Sequence, residues 1–249
     1  MTARQVEAGQ GWQWVVEGWR LFLKAPGLWI VMLLIYIVIS IALSFIPLIG
    51  GVADALITPA LMGGMIYGAA AVAGGQDLEI QHLFRAFQDR NRLGPMLNLG
   101  ALLLVGYIIV GLVVGGFLAS WMVGGGMMSG TQIDQQTLIR MMMSTGMFVM
   151  LIVMVVGVAI TMAMFYAIPL VMLAGSPPIQ ALRDSFAACW LNMGPFLVFG
   201  LIYLVLAFLA AIPLGLGFLV LGPVTFGAVY SSYQDVFVSN GVLQKRTQL

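Results

Sequence analysis

The sequence predicts an all-α integral membrane protein, and three observations support this fold class. Of the 249 residues, 61% are hydrophobic and only 8% are charged, whereas a soluble domain carries about 25% charged residues. The mean hydropathy is +1.05. The charged residues also fall in clusters that leave long uncharged stretches between them. A water-facing surface needs more charge than this, so membrane is the class that fits.

Six transmembrane helices are predicted from the uncharged stretches. A membrane-spanning helix needs about 20 apolar residues, so the last stretch holds two helices and each of the four others holds one. The predicted spans are 26–47, 53–75, 95–120, 147–174, 195–214 and 217–237.

The basic residues predict the orientation of these spans. With the N-terminus inside, nine of the 10 Lys and Arg residues fall on the cytoplasmic side and only Arg140 falls on the other. Cytoplasmic loops are rich in Lys and Arg. We therefore expect a multi-pass protein of the bacterial inner membrane with both termini in the cytoplasm.

Three short segments on the cytoplasmic side are predicted to be amphipathic helices lying in the membrane interface or in a groove between spans. In the first, apolar residues recur at a spacing of three or four from Trp12 to Leu23, with Glu17 and Arg20 off the stripe. Segments 80–87 and 179–190 show similar stripes, and each is too short and too polar to span a bilayer. The expected interfacial anchors are Trp12, Trp19, Phe84, Phe87, Phe186 and Trp190.

The order of these segments predicts three parallel repeats, because a proline step and a hairpin of two spans follow each amphipathic segment. The first and third repeats agree further, since Pro59 and Gly63 correspond to Pro223 and Gly227. The alternative is chance similarity among runs rich in Leu, Ile and Gly. The predicted organisation is a single transmembrane domain 1–249 with repeats 1–75, 76–175 (outer-loop insertion 121–146) and 176–238, then a cytoplasmic tail 239–249.

The chain also resembles a known family. The features that carry the resemblance are the Trp- and Phe-rich first amphipathic helix, Pro26-x-x-Trp29, the run Phe-Tyr-Ala-Ile-Pro-Leu at 165–170 and the run Gln-Ala-Leu-Arg-Asp-Ser at 180–185. They resemble a family of uncharacterised six-span bacterial inner-membrane proteins over nearly the full length. A looser similarity extends to the membrane domain of some glycerophosphodiester phosphodiesterases. The phosphodiesterase chemistry belongs to a soluble domain, so the resemblance implies a membrane fold and no catalysis.

The ionisable residues do not form a recognisable catalytic or metal site. His82 is the single histidine and has no Cys or carboxylate neighbours at ligand spacing. Asp54 and Asp235 are expected near span ends, where a carboxylate reaches the headgroups or caps a helix. Methionines of the outer loop are candidate Cu(I) ligands, although adaptable apolar packing explains them better. We expect no enzyme activity, no cofactor and no metal.

Two functions remain open at this point. The first is a non-enzymatic scaffold or accessory protein, as a homo-oligomer or with a membrane-protein partner. The second is a transporter, channel or lipid-handling protein with an amphiphile site between repeats. Membrane lipid is an expected partner in both, and a net charge of +1 gives no reason to expect nucleic acid. The residues expected to line an amphiphile site are Thr58, Tyr67, Asn98, Thr161, Tyr166 and Tyr230.

Overall fold

The computed structural model describes residues 2–47, 49–124 and 135–238, and this part of the chain is helical without any strand. The predicted tail 239–249 and residues 125–134 of the predicted outer-loop insertion lie outside the described residues. The α-helices are α1 Gln10–Lys24, α2 Pro26–Ser44, α3 Ile49–Ala73, α4 Arg85–Gln88, α5 Arg90–Gly124, α6 Gln135–Phe165, α7 Ala167–Ala174, α8 Pro178–Leu191, α9 Met193–Ala211 and α10 Phe218–Tyr233. A 3₁₀ turn at Ile80–Phe84 precedes α4, and a π-helical turn at Gln234–Val238 follows α10.

Five of the described helical segments are long and apolar enough to cross a membrane. They are Pro26–Ser44, Ile49–Ala73, Arg90–Ser120, Gly146–Ala174 and Met193–Ala211. The sixth predicted span corresponds to α10, which has 16 residues and runs directly into the five-residue π-helical turn. The prediction of an all-helical membrane protein is therefore confirmed. Length and composition alone support five spans among the described residues.

The chain divides into two compact units, Met1–Ala101 with Met162–Leu249 and Leu102–Thr161. The smaller unit contains the outer parts of α5 and α6. Its helices approach each other where Gly106 faces Ile160, since a Cβ at Gly106 would lie 3.1 Å from the Ile160 Cδ1 atom. Large apolar side chains such as Leu112 and Phe148 are exposed in this unit. Exposed apolar side chains on a helix of this length are expected where the helix faces lipid.

The larger unit has its buried core towards the end that carries the amphipathic segments. One cluster of buried residues surrounds Trp14 and Tyr166, and a second surrounds Trp29 and Met65. At the opposite ends of the hairpins, Phe45 and Leu214 are exposed. The core is therefore richest in aromatic side chains at the predicted cytoplasmic end.

Helix α1 packs between α9 and α10 and does not lie free on the surface. A Cβ at Gly18 would lie 2.3 Å from the Val224 carbonyl oxygen, and a Cβ at Gly11 would lie 2.3 Å from the Pro195 carbonyl oxygen. Only glycine permits backbones to approach this closely. The buried face of α1 holds Trp14, while Trp12 and Trp19 point away from the protein.

The other two amphipathic segments pack in an equivalent way. The turn Ile80–Phe84 lies on α3, where a Cβ at Gly64 would be 2.0 Å from the Leu83 carbonyl oxygen. Helix α8 lies on α7, and the Ser185 hydroxyl donates a hydrogen bond to the Met162 carbonyl at 2.7 Å. Each segment therefore packs on the helix that ends just before it, and α10 takes this role for α1.

Candidate functional site

The N-terminal arm, residues 2–8, precedes α1 and has no regular helix. Asn192, which lies between α8 and α9, binds this arm. The Val6 backbone N–H donates to Asn192 Oδ1 at 2.8 Å. Asn192 Nδ2 donates to the carbonyl oxygens of Arg4 at 3.0 Å and Ala188 at 2.9 Å. Asn192 is only 1% exposed, so its amide satisfies its hydrogen bonds inside the protein and fixes the arm against the α8–α9 junction.

Arg4 and Trp14 connect the beginning of the chain to the last helical turn. The Arg4 backbone N–H donates to the Val236 carbonyl at 3.0 Å, and Arg4 Nε donates to the Asp235 carbonyl. The Trp14 Nε1–H donates to the Asp235 Oδ2 atom at 2.9 Å. Asp235 is half-buried, and a carboxylate withdrawn from water needs hydrogen-bond donors. The indole of α1 therefore stabilises the Asp235 side chain, while the arm bonds backbone carbonyls of the same turn.

Tyr166 occupies the break between α6 and α7 and is completely buried. Its ring meets Phe165, Phe196 and Phe237 edge-on at centroid distances of 4.9, 5.6 and 5.3 Å. Its hydroxyl lies near Ser232 and Asp235 and finds no hydrogen-bond partner of good geometry among the described residues. Such a buried hydroxyl is a candidate contact for a water or a ligand atom.

Two further positively charged side chains cap helix C-termini in the same region of the fold. Lys24 Nζ donates to the Val72 carbonyl at 3.1 Å, near the end of α3. Arg92 donates through a guanidinium N–H to the Val171 carbonyl at 2.9 Å, near the end of α7. Gly175 ends α7 with φ +70°, and a Cβ there would lie 2.4 Å from the Arg92 guanidinium. A cation at a helix C-terminus is favoured by the helix dipole.

His82 lies in a second polar group, beside α3. Its ring contacts Tyr67 edge-on at 5.4 Å, and the Arg85 guanidinium lies 5.4 Å from the centre of the same Tyr67 ring. His82 Nδ1 accepts a hydrogen bond from the Glu79 backbone N–H at 3.3 Å. Partial burial lowers the pKa of His82, Arg85 lowers it further, and Glu79 opposes the change. The neutral imidazole is therefore the form that this site stabilises.

Cys189 is buried on α8 and is not an activated nucleophile. Its thiol lies 3.4 Å from the Met162 carbonyl oxygen, and burial raises the pKa of Cys189 to about 12. The thiolate is the reactive form of cysteine, so this side chain stays a protonated packing group at neutral pH.

The six residues expected to line an amphiphile site differ in burial and in their hydrogen bonds. Tyr166 is buried, and Tyr230 and Tyr67 are partly buried against the same core. The Tyr230 hydroxyl accepts from Gln234 Nε2 at 2.8 Å. Thr58 is half-buried on α3 and Asn98 is exposed. Thr161 belongs to the smaller unit, where its hydroxyl donates to the Gly157 carbonyl.

A cavity of about 500 Å³ lies elsewhere, beneath the N-terminal arm. It is lined by Gln5, Val6, Glu7, Ala8, Leu191, Gly194 and Pro195. None of the six expected lining residues contributes to it.

The expected interfacial anchors lie mostly on outward faces. Trp12 is 52% and Trp190 is 67% exposed, and the rings of Phe186 and Trp190 stack at 6.4 Å. Trp19 and Phe87 are also exposed, whereas Phe84 is half-buried. The outward faces of the amphipathic segments are therefore aromatic.

Sequence reasoning missed Arg4, Trp14 and Asn192. The sequence held one signal for the last of these. Asn192 stands three residues before Pro195, as Arg92 stands three residues before Pro95. The two residues therefore occupy the same position relative to a Gly-Pro step.

Metal binding finds no support in the described part of the chain, where no group of three or more His, Cys, Asp or Glu side chains converges. The outer-loop methionines from Met122 to Met143, considered as copper ligands, lie outside the described side chains.

Comparison with known proteins supports the membrane assignment. The chain is 25% identical over 221 residues to a probable inner membrane protein of Burkholderia thailandensis, and the match covers 83% of this chain and 77% of the relative. No protein-family model matches the chain. No solved structure matches it significantly. The similarity and the apolar helices together make the chain a bacterial membrane protein.

Proposed function

We propose that the chain is a non-enzymatic scaffold or accessory protein of the bacterial inner membrane. The observation that carries this proposal is the aromatic core of the larger unit. Trp14 and Tyr166 are fully buried at the end where the amphipathic segments meet the spans, and Phe199 and Phe237 are almost so. Close-packed side chains fill this region and leave little space for a solute. Such packing suits a rigid support better than a solute path.

The outward surface gives the scaffold its proposed contacts. The aromatic faces of α1 and α8 point away from the core, with Trp19 next to the exposed Arg20 and Trp190 on the helix that carries the exposed Arg183. Aromatic side chains flanked by cations favour the headgroup boundary of a bilayer. We propose membrane lipid as one partner, and a second copy or another membrane protein as the scaffolded component.

The proposed topology has six crossings with both termini in the cytoplasm. In this topology α10 and the π-helical turn form the sixth crossing. The three-repeat organisation is supported by the packing of the second and third amphipathic segments on the preceding helix, and of the first on α10. The similarity to the membrane domain of glycerophosphodiester phosphodiesterases stays a prediction from the sequence.

One observation favours lipid handling as the second candidate function. Tyr166 combines a helix break with a buried hydroxyl that lies near Ser232 but makes no hydrogen bond of good geometry with the described residues. Broken helices with exposed backbone polar groups form binding sites in many transporters. An amphiphile whose polar atom reaches this hydroxyl would explain both features.

Native mass spectrometry of the protein extracted with its own lipids separates the two functions. A scaffold gives a defined oligomer or a co-purified protein, and its lipid content is unchanged in Tyr166→Phe. A lipid-handling protein retains a discrete lipid that Tyr166→Phe loses, while the melting temperature stays the same. Tyr203→Phe, on an exposed tyrosine of α9, is the matched control.

A further inference from the structure

The cations that cap α3 and α7 occupy equivalent places in their segments. Lys24 ends α1 two residues before Pro26, and Arg92 stands three residues before Pro95. Each reaches a carbonyl at the end of the helix that completes the hairpin after it, Val72 for Lys24 and Val171 for Arg92. A cation just before the proline step therefore caps the return helix in two of the three segments.

The third segment has no cation before its proline step, but a cation still caps the end of its return helix. Asn192 stands at the place of Arg92 and carries no charge. The end of the last helix nevertheless receives a cation, because Arg4 donates to the Asp235 carbonyl and its backbone N–H donates to the Val236 carbonyl. Asn192 itself bonds the Arg4 carbonyl and the Val6 N–H. Asn192, which stands where the second segment has a cation, thus holds the N-terminal arm, and the arm supplies the cation Arg4.

We propose that the N-terminal arm is a strap that caps the third segment from the opposite end of the chain. Arg4 supplies the charge that position 192 lacks, and Asn192 fixes the arm in place. Since α1 already packs on α10, the strap adds a second connection between the beginning of the chain and the third segment.

The strap is bound along only part of its length. Ala3 and Val6 pack against the core, but Gln5, Glu7 and Ala8 are exposed and border the cavity of about 500 Å³ beneath the arm. Segments with few buried contacts open more readily than the core. Arm opening therefore precedes global unfolding, and it uncovers Asn192 and the last carbonyls of the bundle.

A charge-conserving substitution tests the strap. Arg4→Ala should lower the melting temperature in lipid nanodiscs by roughly 3–6 °C, since a charged cap and its hydrogen bond are lost. Arg4→Lys keeps the positive charge at this helix end and should lose less than half as much. Arg90→Ala, on an exposed arginine at the start of α5, is the control and should leave the melting temperature unchanged.

Hydrogen exchange of the wild-type protein gives a second measurement that does not depend on a variant folding. The Arg4 and Val6 amides should exchange at least tenfold more slowly than the Gln5 and Glu7 amides, and faster than the Trp14 amide. The proposal is overturned if Arg4→Ala melts like Arg90→Ala. It is also overturned if Arg4→Lys melts like Arg4→Ala, or if the Arg4 and Val6 amides exchange like those of a free peptide.

Discussion

The Trp14 indole donates a hydrogen bond at 2.9 Å to the carboxylate of Asp235, a residue 221 positions later in the chain. This bond joins the first helix to the end of the last one. It also explains why a carboxylate is tolerated at the end of an apolar helix, since the indole supplies a donor on the protein side. The contact makes α1 part of the helix bundle.

Removal of this donor should destabilise the protein. Trp14→Phe keeps an aromatic ring but leaves the Asp235 carboxylate without its indole N–H, and we expect a loss of about 1–3 kcal/mol. Chemical denaturation in mild detergent measures it. Trp12→Phe, on the exposed face of the same helix, should change stability by less than about 0.5 kcal/mol. Equal effects of the two substitutions would contradict the buried role of Trp14.

Helix α1 should tolerate no side chain at its closest approach to α10. The Cβ of Gly18→Ala would meet the Val224 carbonyl oxygen at 2.3 Å, so the helices must separate, at a cost of about 1–3 kcal/mol or more. Gly115→Ala is the control, because a Cβ at Gly115 has no neighbour within 4 Å. The comparison of melting temperatures checks this, and a Gly18→Ala variant as stable as Gly115→Ala would show that α1 does not pack as described.

The exposed tryptophans of α1 should matter in a bilayer. Replacing Trp12 and Trp19 with Ser removes two exposed aromatic rings, of which Trp19 also contacts Phe22, so the melting temperature should fall in lipid nanodiscs. The fall should be smaller in detergent, where no flat headgroup boundary exists. Melting that is unchanged in both media would remove the anchoring role.

His82 should make stability depend on pH. Its pKa in the folded protein is lowered from the ordinary value of 6.5 by burial, so between the two pKa values the unfolded chain binds a proton that the folded protein does not. Stability from this site is therefore complete above about pH 6.5 and is lost as the pH falls through that value towards the folded pKa. Melting curves at pH 7.5 and 5.5 measure this, and His82→Gln should reduce the difference. A difference that persists in full in His82→Gln would assign it to other groups.

The sequence predicted the helices of the first and third segments well because their signals are local. Span 26–47 corresponds to α2 Pro26–Ser44 and span 195–214 to α9 Met193–Ala211. In both, a proline opens a long apolar run. The short second amphipathic helix was less regular than its stripe implied, since it divides into a 3₁₀ turn and the single turn of α4.

The pattern allowed α1 to lie in a groove between spans, but it did not show which face of α1 packs on the protein. In a membrane, lipid-facing and protein-facing positions are both apolar, so hydrophobic periodicity cannot tell them apart. The predicted stripe accordingly combined the exposed Trp12 and Trp19 with the buried Phe22. The contact of Asn192 with Arg4 joins residues 188 positions apart, and no local spacing encodes it.

Site-directed labelling tests the proposed topology. In a Cys189→Ser background, Gln76→Cys and Leu214→Cys place single thiols at exposed positions on opposite ends of the hairpins. With six crossings and cytoplasmic termini, a membrane-impermeant maleimide added to spheroplasts should label Leu214→Cys only, because position 76 faces the cytoplasm. Inverted vesicles should give the reverse pattern. Labelling of both positions from the same side would overturn the proposed topology. Three proposed crossings, by α5, by α6 with α7 and by α9, separate positions 76 and 214, and only an even number of crossings would leave both positions on one side.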